Sequence, residues 1–401
     1  MPSAYSGVQL HFATMGDAGG VPGLAMVMEL IDTDEQVFAR PSRPHRPGGM
    51  RPMRRGAVAC LRSPWLRPLT DALRRHYAGL ATSLLYHRVG ADDPLATNAA
   101  DGFRPNCSLS VSATRFDEQM RELASAHRCV PLPQAVEELA AGQLPRGTVT
   151  VTFDDGYRDN LRVALPILER HGVPATLHIT TGLIDRTAVL WWEELEAIVR
   201  AAPRLQFEWR GREHAFELSG SDAREQAFTR IAALFKPAAP ETQRELMALL
   251  RPQSPTRFSY ADDVLDWDEV RELDRHPLMT IAAHSVNHPA LSCIGADAVD
   301  AELRLSRQRL ERELGHAVPY FAYPYGGGAE AGRREFELSE QAGFRFALTS
   351  RSGHWHPRHR HHLQALPRIM VEPQDSLEDF RFKLSGLDAF LRQRGRRFVT
   401  D

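Results

Sequence analysis

The sequence predicts an α/β fold in which parallel strands alternate with helices and close into a (β/α) barrel. Two stretches carry this prediction, because each is an apolar run of strand length that ends in polar residues. Thr148–Phe153 precedes the Asp-Asp-Gly segment Asp154–Gly156, and Thr280–Ala283 precedes the His-Ser-Val-Asn-His segment His284–His288. Because a (β/α) barrel gathers the carboxyl ends of its strands on one face, we expect the two polar segments to meet there.

Further strand-like segments follow this pattern, with helical segments between them. A helix over residues 114–123 has its apolar residues at i, i+4 and i+7, which is typical of a helix packed on a core. Asp266 and Glu269 predict a capped helix start, and Gly315 predicts the end of a long amphipathic helix. The expected strands are seven: residues 83–89, 148–153, 175–181, 280–283, 318–323, 344–349 and 366–371.

The residue types at the two strand ends indicate a metal site. Asp154 and Asp155 are adjacent carboxylates, which repel each other unless a positive charge or a shared proton relieves them. His284 and His288 are spaced i, i+4, so they would meet on one side of a helical turn. Zinc accepts two imidazoles and one carboxylate and keeps a position for water in catalytic sites. The alternative for the first segment is an ordinary Asp-Asp-Gly turn after a strand.

At these residues the sequence resembles a known family. Thr152–Gly156, His284–His288 and Phe321–Gly326 resemble the first three motifs of the polysaccharide deacetylases, the NodB homology domain. The resemblance runs from about Leu84 to about Val371. It implies a deformed (β/α)7 TIM-like barrel, and it implies an enzyme that uses a divalent metal to remove acetyl groups from an acetylated glycan.

The resemblance also implies a role for each motif residue. Asp154 would be the general base, and Asp155 would bind the metal together with His284 and His288. We expect this metal to be zinc. The backbone N–H of Tyr325 would stabilise the oxyanion that forms during hydrolysis.

Two departures from the family pattern concern the rest of the site. Many members carry an arginine in the third motif that contacts the catalytic aspartate, but Ala322 stands there. We expect Arg368 to enter from the last strand and to place its guanidinium within about 4 Å of Asp154, a range that shifts a pKa strongly. The later family motifs are unclear, so the candidates for the general acid are His87, His361 and His362.

The leading functional prediction is therefore an N-deacetylase of a poly- or oligosaccharide. Removal of O-acetyl groups, or of a formyl group from a sugar lipid, is an alternative with the same chemistry. A non-catalytic carbohydrate-binding barrel is an alternative of another class, but such a module would not need the aspartate pair and the two histidines.

The domain organisation follows from the reach of the resemblance. Residues 1–80 are expected to be a partly disordered extension, 81–375 the barrel, and 376–401 a helical tail. About 80 residues, 186–265, exceed one ordinary connection and predict a mainly helical insertion with one hairpin beside the barrel mouth. Its Trp191 and Trp192 are either core residues or stacking surfaces for sugar rings. The histidine-rich segment 354–362 is expected to be a solvated loop rather than a second metal site.

Composition limits the other classes of partner. The chain of 401 residues is 43% hydrophobic and 25% charged, and its net charge of −2 gives no argument for nucleic acid, despite a basic segment at 40–55. Its four cysteines show no metal-binding or disulfide spacing. The sequence shows no signal peptide and no apolar run long enough for a membrane span, so we expect a cytoplasmic protein. It assigns no oligomeric state.

Overall fold

A computed structural model describes residues 67–90 and 102–392 of the chain. The described residues from Leu73 onward form one compact unit. Most of the expected N-terminal extension, including its basic segment at 40–55, lies outside the described residues, as do the last residues of the tail, 393–401. The domain limits that the sequence suggests therefore stay predictions.

Seven parallel strands close into a barrel and follow one another around it in chain order. The first strand closes the ring, because its Leu84 is paired with Val151 on one side and with Ile369 on the other. The seven predicted strands and the (β/α)7 barrel are confirmed. The strands are β1 (Ala81–Tyr86), β2 (Thr148–Phe153), β3 (Ala175–Ile179), β4 (Met279–Ala283), β5 (Tyr320–Ala322), β6 (Phe346–Ser352) and β7 (Leu366–Met370).

Helices connect most of these strands, while one helix precedes β1 and two follow β7. They are α1 (Arg67–Tyr77), α2 (Ala113–Ala126), α3 (Leu132–Ala140), α4 (Leu165–His171), α5 (Thr181–Ile184), α6 (Trp191–Ala201), α7 (Ser221–Phe235), α8 (Pro240–Leu250), α9 (Trp267–Asp274), α10 (Ala296–Leu314), α11 (Arg333–Gln341), α12 (Leu377–Leu384) and α13 (Leu387–Arg392). One short strand, Arg128–Cys129, adds to the barrel sheet by pairing with β2, whereas Arg88–Gly90 and Ser110–Ser112 pair with each other in a separate two-stranded sheet.

Strand β2 shows how the sequence positions the site. Its alternate residues Val149, Val151 and Phe153 belong to the main hydrophobic core. Successive strand residues point to opposite faces, so Thr152 is directed into the barrel. The Thr152 hydroxyl donates to the Leu84 carbonyl at 2.7 Å and accepts from the Arg368 guanidinium at 3.2 Å. The strand thus delivers the next residue of the same phase, Asp154, to the carboxyl end of the barrel interior.

The predicted insertion is confirmed as three helices, α6 to α8, and one hairpin. The hairpin pairs residues 204–209 with 212–217 in antiparallel fashion. Its two turn residues, Arg210 and Gly211, have φ values of 50° and 72°, as a tight two-residue turn requires. Ile198, Phe235 and Leu246 pack into the same core cluster as the barrel strands. The insertion is therefore packed on the barrel through a shared core.

The predicted helix boundaries also hold. The Asp266 carboxylate accepts from the Glu269 N–H at 3.0 Å, and the Glu269 carboxylate accepts from the Asp266 N–H at 3.1 Å, which is the predicted capping box of α9. Gly315 ends α10 with a φ of 78°. The tail is helical in α12 and α13. Over the described ranges, no helix combines the length and the apolar character needed to cross a membrane.

The histidine-rich segment is not the solvated loop that the sequence predicts. His354, His356 and His359 are buried, whereas His361 and His362 are exposed. The His354 ring bonds the Thr82 hydroxyl at 2.7 Å. These contacts pack the segment against the start of β1, so its first histidines are structural.

Candidate active site

Three side chains converge at the carboxyl ends of β2 and β4. One ligand atom each of Asp155, His284 and His288 lies within 4.8 Å of the other two. Asp155 Oδ1 is 3.3 Å from His288 Nε2 and 3.6 Å from His284 Nε2. Donors bound at about 2.0–2.2 Å in a tetrahedral zinc site lie about 3.3–3.6 Å apart. The donor set and its spacing therefore fit a divalent metal, and they are the predicted ligands.

The loop that carries the two histidines differs from the prediction. Residues 284–288 form no helical turn, and Ser285 and His288 have φ values of 65° and 56°. The Glu302 carboxylate of α10 accepts from the backbone N–H groups of Val286 and Asn287 at 2.8 and 2.9 Å. The Ser285 hydroxyl accepts from the His288 N–H at 3.0 Å. The i, i+4 spacing brings the rings together through this braced loop, not through helical geometry.

Both histidines are held in the neutral form that binds metals. Burial lowers the pKa of His284 to about 4, although the charge of Asp154 opposes this shift. Burial, followed by the neighbouring His284, holds the pKa of His288 well below its usual value. The His284 Nδ1–H donates to the Ala322 carbonyl at 2.7 Å, which leaves Nε2 directed at Asp155. A neutral imidazole with a fixed tautomer is ready to coordinate through its free nitrogen.

The ionised form of the Asp155 carboxylate is disfavoured by its surroundings. Burial and the charges of Asp154 and Glu193 raise its pKa well above the usual value. Its Oδ1 is buried and accepts no hydrogen bond from the described residues. Its φ of 78° is a conformation that non-glycine residues rarely adopt. A cation between Asp155 and the two imidazoles would relieve the desolvation and the repulsion together.

Asp154 has the opposite electrostatics, although it is adjacent in sequence. Both of its oxygens accept from the Arg368 guanidinium at 2.7 Å, and His178 Nδ1 lies 3.1 Å from Oδ1. Burial opposes its charged form, but Arg368, His284 and His178 outweigh burial and hold the pKa of Asp154 well below its usual value. Asp154 is thus an ionised carboxylate that lies beside the group formed by Asp155, His284 and His288 rather than in it.

The contact of Arg368 confirms the geometric prediction made from Ala322. Arg368 is fully buried at 0% exposure, and its Nε also donates to the Thr349 carbonyl at 3.0 Å. Ala322, in the position of the usual arginine, supplies a backbone carbonyl to His284 instead. The guanidinium therefore reaches the same carboxylate from a different strand, β7.

His178 is a site residue that the sequence analysis missed. It is completely buried on β3, and its Nδ1 lies 3.2 Å from the Phe153 carbonyl as well as close to Asp154. A signal was present, because His178 is the last interior-facing residue of its strand, in phase with Thr176. Asp154 and His284 stand at comparable strand ends.

Tyr325 lies at the edge of the same group. Its ring is 4.7 Å from the His288 ring, and its hydroxyl accepts from Trp191 Nε1–H at 3.0 Å. Its φ of 58° makes it one of four site residues with a left-handed backbone, together with Asp155, Ser285 and His288. Such conformations cost about 1–3 kcal/mol each and cluster at functional sites.

The general-acid candidates divide clearly. His361 and His362 are exposed and line a surface cavity beside α11. His87 follows β1, and the charges of Asp154 and Arg368 both act on its ring. Burial lowers the pKa of His87 to about 4, and its Nδ1 is buried with no partner among the described residues. Asn160 Nδ2 fixes the His87 carbonyl at 2.9 Å, from a π-helical turn that leads into α4.

Comparison with known proteins adds a family to this geometry. Residues 141–230 and 237–347, half of the chain, match the polysaccharide deacetylase family. The chain belongs to that family. The matched segments contain Asp154, Asp155, His284, His288 and Tyr325, whereas His87 and Arg368 lie outside them.

The individual relatives share only a limited part of their sequence with this chain. Over 111 residues the chain is 30% identical to the poly-β-1,6-N-acetyl-D-glucosamine N-deacetylase of Staphylococcus epidermidis. That match spans 27% of this chain and only 38% of the length of the relative. The deacetylase PplD of Streptococcus pyogenes, solved with acetate, is 18% identical over 76% of this chain and 97% of its own, with a TM-score of 0.51. IcaB of Ammonifex degensii is 18% identical over 78% of this chain and 97% of its own, with a TM-score of 0.46.

Proposed function

We propose that this protein is a metal-dependent hydrolase that removes N-acetyl groups from a poly- or oligosaccharide. The observation that carries the proposal is that the adjacent aspartates Asp154 and Asp155 have different contacts and different charge states. Asp155 shares a donor group with two neutral histidines, whereas Asp154 is held ionised by Arg368 without joining that group. The N-acetyl preference is supported by the name of the staphylococcal relative and by membership of the family.

In this mechanism Asp155, His284 and His288 would hold the ion, and zinc fits their donor types. The bound ion would lower the pKa of a water molecule towards neutrality and withdraw charge from the acetyl carbonyl. Asp154 accepts the proton of the attacking water. Arg368 keeps the Asp154 carboxylate ionised and fixes its plane through two hydrogen bonds.

The remaining steps need a hydrogen-bond donor to the oxyanion and a proton donor to the leaving amine. The backbone N–H of Tyr325 is the proposed donor to the oxyanion, and the loss of one such donor typically costs about 3 kcal/mol of barrier. His87 is the proposed donor to the leaving amine. Its ring is neutral in the free enzyme, so it must first take up a proton, and the proton that Asp154 accepts from the attacking water is the available source. The negative charge that develops on the carbonyl oxygen would raise the affinity of the His87 ring for that proton.

Acetate release with and without metal tests the proposal. The purified chain should release acetate from N-acetylated glucosamine oligomers, lose this activity after chelation and recover it with zinc. A panel that also contains O-acetylated and N-formylated sugars separates the alternatives of the same chemistry. A protein that binds glycans without metal and releases no acetate would instead be the non-catalytic barrel.

Substitution of His87 gives a test of the proton donor. We expect His87→Asn to lower kcat for an N-acetylated oligomer by about 10²-fold, the lower range for proton transfer by a side chain. The same variant should retain most of its activity on 4-nitrophenyl acetate, because a nitrophenolate leaves without a proton. His361→Asn is the control and should match wild type on both substrates. Equal losses on both substrates would remove His87 from this role.

A further inference from the structure

The two metal-ligand histidines are oriented in different ways. His284 Nδ1 is fixed by a hydrogen bond to the Ala322 carbonyl. His288 presents Nε2 to Asp155, but its Nδ1 is buried and makes no hydrogen bond to another of the described residues. Ligand histidines almost always use the second nitrogen for a hydrogen bond that fixes the ring. Some other contact must therefore hold the His288 ring.

That contact is aromatic packing. The Trp192 ring lies 4.9 Å from the His288 ring at an angle of 52°, and the Tyr325 ring lies 4.7 Å from it at 66°. Trp192 belongs to the insertion, whereas Tyr325 follows β5. Besides the ring of the other ligand histidine, His284, at 5.0 Å, the His288 ring thus has one aromatic neighbour from the insertion and one from the barrel.

The first turn of α6 is involved in holding both neighbours, because Trp192 belongs to this turn and Trp191 of the same turn contacts Tyr325. Trp192 Nε1–H donates to the Tyr157 hydroxyl at 2.8 Å, and Trp191 Nε1–H donates to the Tyr325 hydroxyl at 3.0 Å. Phe235 of α7 stacks on Trp191 at 5.3 Å and 11°. Of these two consecutive tryptophans, Trp192 contacts the His288 ring directly, and Trp191 holds Tyr325, which contacts that ring from the barrel.

The same helix is tied to the segment that carries the aspartates. Tyr157, which comes two residues after Asp155, donates its hydroxyl to Glu193 at 3.3 Å. The Arg88 guanidinium lies 4.8 Å from the centre of the Tyr157 ring and pairs with Glu193 at 3.4 Å. The position of α6 is thus coupled to both halves of the donor group.

We propose that Trp191 and Trp192 are positioning residues of the metal site. Trp192 holds the His288 ring in the plane that directs Nε2 at the metal, and Trp191 holds Tyr325 against the other side. This inference rests on the proposed function, since it assigns the insertion to that same site. Both tryptophans are only 6% exposed, so they offer little ring surface for stacking on a sugar.

Metal affinity of the full-length protein tests the inference, measured by competition for zinc with a chromophoric chelator. Trp192→Leu should weaken zinc binding by about 10- to 100-fold, the usual effect of losing a group that orients a ligand. Trp192→Phe keeps a ring against His288 and should restore most of the affinity. Trp191→Phe keeps a ring against Phe235 but removes the hydrogen bond to Tyr325, so kcat should fall roughly 3- to 10-fold while KM stays close to wild type.

Trp267→Leu is the matched control. Trp267 Nε1–H donates to Asp185 at 2.8 Å, so this variant also loses an indole and its hydrogen bond while the site residues stay intact. Its zinc affinity should equal that of wild type. If Trp192→Leu does not fold, Tyr325→Leu removes the second aromatic neighbour and must show the loss of affinity.

The outcomes separate the two proposals. Wild-type protein that fails to bind zinc would overturn the proposed function and this inference together. Tight zinc binding by wild type, with equally tight binding by Trp192→Leu or by Tyr325→Leu, would overturn this inference alone. A loss in Trp192→Phe as large as in Trp192→Leu would also overturn it, because the ring contact would then not be the cause.

Discussion

Asp154→Asn is expected to lower kcat/KM for acetate release by about 10²–10⁴-fold, the range for loss of a positioned proton acceptor. Zinc affinity should stay near wild type, because both Asp154 oxygens are engaged by Arg368 and Oδ2 is 3.9 Å from His284 Nε2. His284→Ala should abolish turnover and zinc binding together, since His284 is one of the three donors. Zinc stoichiometry and acetate release, measured on the same preparations, check both expectations.

A second buried ion pair supplies the control for this experiment. Asp375 accepts from Lys383 at 2.6 Å, and both side chains are buried. Asp375→Asn removes the nearer carboxylate from this buried cation and leaves Lys383 only the partly exposed Glu372 at 3.2 Å, so this variant should also lose stability. Its turnover should remain close to wild type. If Asp154→Asn and His284→Ala lost zinc to the same extent, Asp154 would be a metal ligand, and its assignment as the proton acceptor would be wrong.

Much of the architecture could be predicted because it depends on local patterns. Apolar runs of strand length mark the seven strands, and Asp266 with Glu269 marks a helix start through contacts three residues apart. Arg368 could be predicted as well, because the absence of an arginine at Ala322 creates a charge requirement that few residues near the strand ends can meet. In these cases the deciding interaction is either local or forced by a missing partner.

The remaining features depend on contacts between distant segments. His178 on its own resembles any buried strand residue, and only closure of the barrel places its ring beside Asp154. The loop 284–288 takes its shape from Glu302, a residue on the following helix. The i, i+4 spacing favours a helical turn, but the carboxylate binds backbone N–H groups and stabilises a different conformation.

The histidine-rich segment shows the same limit in another way. Its composition is polar, so the sequence favours a solvated loop. The fully buried Trp355 is paired with Ala81 at the start of β1, and its indole donates to the Pro367 carbonyl at 2.9 Å. Burial of Trp355 therefore places the neighbouring histidines in the interior, although the other residues of the segment are polar and favour solvent.

Arg368→Met is expected to raise the pH at which activity is lost on the acidic side. In wild type Arg368 is the strongest favourable charge that acts on Asp154 and holds its pKa well below the usual value. Burial acts in the opposite direction, so removal of the guanidinium raises the pKa. Asp154 must be ionised to accept a proton, and the acidic limb of the kcat/KM profile should therefore move to higher pH. Zinc content should not change.

The stability of the variant should change with pH in a defined direction. Removing one partner of a buried ion pair costs about 3–5 kcal/mol. A depressed carboxyl pKa stabilises the folded state above the ordinary range near pH 4, and this contribution is lost as the pH falls through the depressed pKa. The difference in unfolding free energy between wild type and Arg368→Met should therefore be largest near neutral pH and smaller in acid, as urea unfolding at several pH values can measure.

Lys383→Met is the matched control, because it removes the buried cation of the Asp375 pair. It should lose stability at neutral pH while its pH–rate profile stays that of wild type. The distinguishing result is the acidic limb, since a general loss of stability does not move the pKa of one carboxylate. If Arg368→Met kept the wild-type limb while Asp154→Asn removed activity, the ion pair would serve folding alone, and another group would keep Asp154 ionised during catalysis.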